Sequence, residues 1–365
     1  MIPSDADKPT DGRTRAAKLE KEQESEEYRY PAFEGKEASS FSPPLCDEEL
    51  KIKQAIEMIY ACRFREAGRE LRVLTDLISH TTNSCRRATA LRLACMLCIF
   101  TNDKNIFLNC YEQLTSMMQE DFPRKPEIQQ MLYELNATLG ETQYYQEHFE
   151  ILPGYAYHES YLPHLAALNA VSFFYSGKSV SPALLRGFEL NCALVDTTDN
   201  YADRQTLHLY LGFAYYTLQK HKEANIHLRH ALKLAEKYEL YYCIATEYYF
   251  IEDAFKTVLN DFSEQFRDRL RACASGIHEH YVSFMETLSM NSIFALMLHK
   301  EYIYVIYAAQ GLTNKEVSER MHISAVTVAK RYSEIYALLG VKNKGELVKL
   351  YRATVTNENN DSTVV

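Results

Sequence analysis

The sequence predicts an all-α chain, a series of helical hairpins ending in four short helices, and three observations predict it. From Asp47 onward apolar residues recur at helical spacing with almost no strand-like alternation. Prolines at 123, 126, 153, 163 and 182 punctuate the pattern. Residues that cap helices stand where the pattern restarts: Ser181 before Pro182, Thr313 three residues before Glu316, Ser324, and Asn343 three residues before Glu346.

Residues 1–46 carry ten acids and seven basic residues, few large aliphatics and the linker-like Ser-Phe-Ser-Pro-Pro. Such a stretch cannot bury enough apolar surface to order itself, so it is expected to be a disordered tail. It has no apolar run, so no signal peptide is expected. Nor is any apolar stretch long enough to span a bilayer: Ile293 to Ala309 is interrupted by His299, Lys300 and Glu301. The nine cysteines are odd in number and irregularly spaced, which argues for reduced thiols and a cytoplasmic setting.

Residues 47–290 read as helical hairpins. The clearest runs from Tyr201 to Tyr238, where Gly212 and Ala224 allow two antiparallel helices to approach closely, with Leu211, Tyr215, Leu228 and Ala231 around them. Ala55, Phe64, Ala67, Leu71 and Leu74 form a weaker copy. These small and large positions resemble a degenerate tetratricopeptide array of five or six hairpins. The resemblance implies stacked hairpins with a concave groove for a protein, peptide or small molecule, to which Tyr241, Tyr242, Tyr248 and Tyr249 offer amphipathic rings.

A search for chemistry returns little. Cys95 and Cys98 lie mid-helix without a second pair at zinc spacing and read as core residues. His227 and His230, three apart on one helix with His221 nearby, have a metal-compatible spacing. No carboxylate or thiol accompanies them at matching spacing, so they read as solvent-exposed and no metal is expected. There is no phosphate-binding loop and no nucleophile, base and oxyanion set, so no catalytic residue and no cofactor are assigned.

The chemistry-bearing stretch is Gly311 to Leu339. Gly311 stops one helix, the Thr313–Glu316 capping box opens a second, and Ser324 caps a third that runs to a left-handed stop at Gly340. At about 100° per residue, Val328, Tyr332, Ile335 and Leu339 share the buried side of that third helix. Val326, Lys330, Ser333 and Ala337 face outward, a narrow and mildly basic surface that fits a major groove about 12 Å wide. Lys330 and Ser333 then fall near base edges. Thr327 and Arg331 on the flanks, with Lys342 and Lys344 beyond, fall near phosphates.

Gly-Leu-Thr-Asn-Lys-Glu-Val at 311–317, His-Ile-Ser at 322–324, Thr327-Val328, Ile335 and the run from Leu339 to Lys344 resemble the LuxR-type helix-turn-helix of bacterial regulators. Glu301 matches the acidic residue of that family's first helix. Together these motifs imply a four-helix DNA-binding domain over 291–354, a recognition helix from about Ala325, and a dimer face on the last helix at Leu347, Leu350 and Tyr351. The sequence departs from the family at Leu298-His299-Lys300-Glu301, which lacks the usual Thr cap. It also carries positive charge at Lys330 and Arg331, where the family commonly has it at the positions of Val326 and Ala329.

The whole chain carries −9, yet residues 299–352 hold nine Lys and Arg against five Glu. This asymmetry makes the C-terminal domain the expected contact for double-stranded DNA. The expected function is a DNA-binding transcription regulator whose helical body receives a signal. The rival reading is a scaffold in which both parts bind protein. Residues 355–365 are polar and expected to be disordered.

Overall fold

The computed structural model describes residues 45–119, 125–138, 164, 166–167, 170, 180–198, 200–288, 299–321 and 324–361. Contacts divide the chain into residues 1–30 and 31–365, and every described residue belongs to the second unit. The expected N-terminal tail, except Leu45 and Cys46, and the boundary near Met290 fall outside the described residues. The described residues are all-α, with no strand among them.

The helices are α1 Asp47–Tyr60, α2 Ala67–His80, α3 Ser84–Thr101, α4 Lys104–Met117, α5 Lys125–Thr138, α6 Pro182–Val195, α7 Tyr201–Thr217, α8 His221–Tyr238, α9 Tyr241–Phe255 and α10 Glu264–Thr287 in the body. They are followed by α11 His299–Ala309, α12 Asn314–Met321, α13 Ala325–Leu339 and α14 Lys344–Asp361. Short polar side chains start several of them. Asn83 accepts from Arg86 N, Asp103 from Ile106 N, and Ser181 from Leu184 N.

Consecutive helices pair as hairpins, most extensively α7 with α8. A Cβ on Gly212 would lie 2.7 Å from Leu228 Cγ and 3.0 Å from its backbone N, so only glycine permits this approach. The weaker copy is buried too, with Ala55, Ala67 and Leu74 wholly inaccessible.

The body also closes on itself, which hairpin spacing alone does not foretell. α10 packs on α3, and α9 meets α1. Arg269 donates to the carbonyl of Ala61 at 3.0 Å, Arg63 pairs with Glu239 at 2.5 Å, and Asn102 donates to Ser283 at 3.2 Å. At Gly276 an added Cβ would come within 2.6 Å of the Phe64 ring. Tyr241 and Tyr242, expected on a binding groove, pack against this core, and Tyr248 is buried within it. Tyr249's side chain lies outside the described residues.

Cys95 and Cys98 are core residues whose thiols burial pushes well above their ordinary range. His164 joins three helices, lying 2.9 Å from Glu134 of α5 and 3.0 Å from Asp203 of α7, while Arg92 of α3 donates to Glu134 at 2.9 Å. Burial opposes charge on His164, but Asp203 and Glu134 outweigh it and raise its pKa to about 9.

The expectation of solvent-exposed histidines on α8 is corrected in part. His221 is exposed, but His227 and His230 are half-buried against His208 of α7, a partner that the spacing within α8 cannot reveal.

Candidate nucleic-acid interface

The C-terminal helices form around a small core of their own. Gly311 takes φ +78° and donates to Ala308 O, while Leu312 donates to Tyr307 O, so α11 ends in a left-handed turn. Thr313 N donates to Glu316 Oε2 at 2.7 Å, and Glu316 N returns to Thr313 Oγ1 at 3.3 Å, which makes the expected capping box of α12. Ser324 accepts from Thr327 N at 3.0 Å to start α13. Gly340 at φ +67° ends it, with Val341 N donating to Tyr336 O. Asn343 caps α14 through Glu346 N at 3.0 Å, but the Glu346 carboxylate takes the N–H of Lys342, one residue before the cap.

Val328, Tyr332 and Ile335 are buried, as their spacing predicts, against Tyr304, Val305 and Ala308 of α11, Val317 of α12 and Leu347 of α14. The Tyr332 and Tyr304 rings meet edge to face at 5.5 Å. This core fixes which side of α13 reaches solvent. Val326, Thr327, Ala329, Lys330, Ser333 and Ala337 are exposed, Val326 at 79%.

The site residues differ in their freedom. Lys330 stands 3.8 Å from Glu334, and Arg331, half-buried, donates to the same carboxylate at 2.9 Å. Ser333 donates its hydroxyl proton to Ala329 O at 3.0 Å, leaving the oxygen's lone pairs outward. The Thr327 hydroxyl shares a 2.8 Å hydrogen bond with Ser324. Lys342 is exposed.

Lys344, expected near a phosphate, is also engaged within the domain. Its ammonium donates to the carbonyl of Leu312 and lies 5.1 Å above the Tyr332 ring, and burial lowers its pKa. It ties the start of α14 to the α11–α12 turn instead of pointing away from the domain, because that turn presents a backbone oxygen within reach.

Glu334 is the residue that the sequence reading passed over. Its signal was legible: an acid three and four residues after two cations on one helix pairs with both. Leu347, expected on a dimer face, is wholly buried in the domain core, and Tyr351 packs at the edge of that core. α14 also runs to Asp361, beyond the expected start of a disordered tail, with no Gly or Pro after Gly345 to stop it.

This geometry defines the class: described residues that are all-α, with a C-terminal four-helix helix-turn-helix domain whose third helix presents an exposed face of short and basic side chains. Residues 305–351, 47 of the 365, match the family model described as "Bacterial regulatory proteins, luxR family". The match supports a DNA-binding transcription regulator. No curated protein and no solved structure matches the chain. Among the described residues no helix is long and apolar enough to cross a membrane.

Proposed function

We propose that the chain is a transcription regulator that docks α13 in the major groove of double-stranded DNA, and that its helical body receives the signal controlling that docking. The observation that carries the proposal is the exposed face of α13, on which Val326, Lys330 and Ser333 stand clear of the domain core. Lys330 reads a base edge, Ser333 accepts from an exocyclic amine, and Val326 packs on a thymine methyl. Thr327, Arg331 and Lys342 take phosphates, and Lys344 supports the turn that positions them. α14 beyond its buried Leu347 is the pairing face of a dimer.

On the same proposal, α1–α2 and α7–α8 are degenerate tetratricopeptide-like hairpins, a reading supported by the glycine-only approach at Gly212. Contact between α9 and α11 supports a link from the body to the DNA-binding helices. Fluorescence anisotropy of the full chain with a genomic-fragment pool, across a salt series, tests the proposal. Salt-sensitive enrichment of a common sequence supports it. Absence of DNA binding at low salt, together with recruitment of a protein partner by the same domain, favours the scaffold reading.

A further inference from the structure

We infer that Asp196, His208 and His230 form a site for a divalent transition-metal ion of the zinc class, where α6, α7 and α8 converge. Asp196 caps the C-terminus of α6, His208 lies within α7, and His230 lies within α8. One ligand-capable atom from each lies within 4.8 Å of the other two. Asp196 Oδ1 and His208 Nε2 are 3.1 Å apart. Neighbouring ligands around a tetrahedral zinc, with bonds of about 2.0–2.1 Å, stand roughly 3.3 Å from each other. The His208 and His230 rings stack at 4.1 Å, so a small opening of the pair admits an ion between their edges.

His230 Nε2 adds a second observation, since it is buried and has no hydrogen-bond partner. Proteins ordinarily pair such an atom, and a cation held by the cluster would pair it. The mouth is open to an incoming ion: Asp196 is exposed, His230 half-buried, and His208 buried behind them.

His227 supplies the outer support that metal-bound histidines use. Its Nδ1 lies 2.8 Å from His208 Nδ1. Without metal, the Asp196 carboxylate can only accept, so His208 carries its proton on Nε2 and accepts from His227 at Nδ1. With metal on Nε2, His208 carries its proton on Nδ1 and donates to His227. Both rings exchange tautomer, both stay neutral, and no net proton is released.

The donor set selects the metal class. Imidazole nitrogens suit zinc, nickel and copper. A single carboxylate supplies too little oxygen for calcium or magnesium, which take mostly oxygen ligands. That carboxylate is also shared with Arg204, whose Nε lies 3.4 Å from Asp196 Oδ1 and whose terminal nitrogen donates to the Asp196 carbonyl at 2.7 Å. Arg204 orients the carboxylate and sets a positive charge that weakly held ions would not overcome. The inference is independent of the proposed DNA binding.

The test is titration of the untagged full chain with Co2+, followed by visible absorption, then displacement by Zn2+. One equivalent of Co2+ should give the intense visible bands of a low-coordinate nitrogen and oxygen site. Asp196→Asn should weaken binding at least about 10-fold, and His230→Gln should abolish those bands. His227→Phe should weaken binding by about 10- to 100-fold. His221→Ala, at an exposed position, should leave it unchanged. Melting curves of each variant without metal separate lost ligation from lost folding. Absent visible bands, equal affinity in folded Asp196→Asn and His230→Gln variants, or the near-ultraviolet charge-transfer band of thiolate ligation would each overturn the inference.

Discussion

Tyr332 donates its phenolic proton to the backbone carbonyl of Tyr304 at 3.0 Å, pinning the middle of α13 to α11. The exposed face of α13 is set by this buried contact as much as by its own residues. A ring held at one end by a hydrogen bond and along one side by an aromatic neighbour permits little rotation of the helix that carries it.

Tyr332→Phe should keep the ring packing and lose the hydrogen bond, at a cost of about 1 kcal/mol. Amide hydrogen exchange in α13 should accelerate roughly fivefold, a factor that corresponds to this energy. Tyr332→Ala should cost about 3–5 kcal/mol, as large aromatic deletions do. Exchange rates unchanged in the phenylalanine variant would show that the hydrogen bond does not hold the helix.

Lys330→Ala and Lys342→Ala should weaken DNA binding in different ways. Loss of Lys330 should cost about 1–3 kcal/mol of discrimination at one base position. Loss of Lys342 should weaken all sequences evenly and lower the salt slope by about one. Anisotropy on a selected site and a scrambled duplex reads both effects. If Lys330→Ala leaves selectivity intact, that residue does not read bases.

Glu334 holds Arg331 and approaches Lys330, and its charge opposes phosphates. Glu334→Gln should therefore tighten binding severalfold at low salt, with the gain shrinking as salt screens the removed repulsion. Weaker binding in this variant would mean that the carboxylate itself contacts DNA, as acceptor from a cytosine amine.

Protonated His164 stabilises the body through Glu134 and Asp203. Its folded pKa, about 9, lies above the ordinary histidine value of 6.5, so the folded state binds the extra proton between them. The stabilisation is fully present below pH 6.5 and is lost as pH rises through 9. It amounts to about 3 kcal/mol. Melting temperature should fall across that window in the wild type and fall less in His164→Gln. Parallel curves for the two proteins would remove His164 as the cause.

Gly212→Ala places a methyl within 2.7 Å of Leu228 and should destabilise the α7–α8 hairpin by about 1–3 kcal/mol. Combined with Leu228→Ala it should cost less than the sum of the two single changes, because they share one space. Denaturation of the double variant that shows simple additivity would contradict the close approach.

Much of the C-terminal domain was legible in the sequence because its signals are local. Gly311, the Thr313–Glu316 box, Ser324 and Gly340 act within a few residues of chain, and each sits where its spacing predicts. The buried and exposed sides of α13 followed from helical periodicity alone. Lys344 did not, since its partner, the Leu312 carbonyl, lies 32 residues away.

The sequence by itself determined the helical class, the turns that separate the last four helices and which side of α13 faces out, because hydrogen-bonding caps and a 3.6-residue period are short-range constraints. Tertiary structure alone decided that α10 returns to α3, that Leu347 belongs to a core, and that His208 and Asp196 join His230. Those groupings come from side chains on separate helices, whose distances depend on how buried surfaces fit together and leave no spacing along the chain to read.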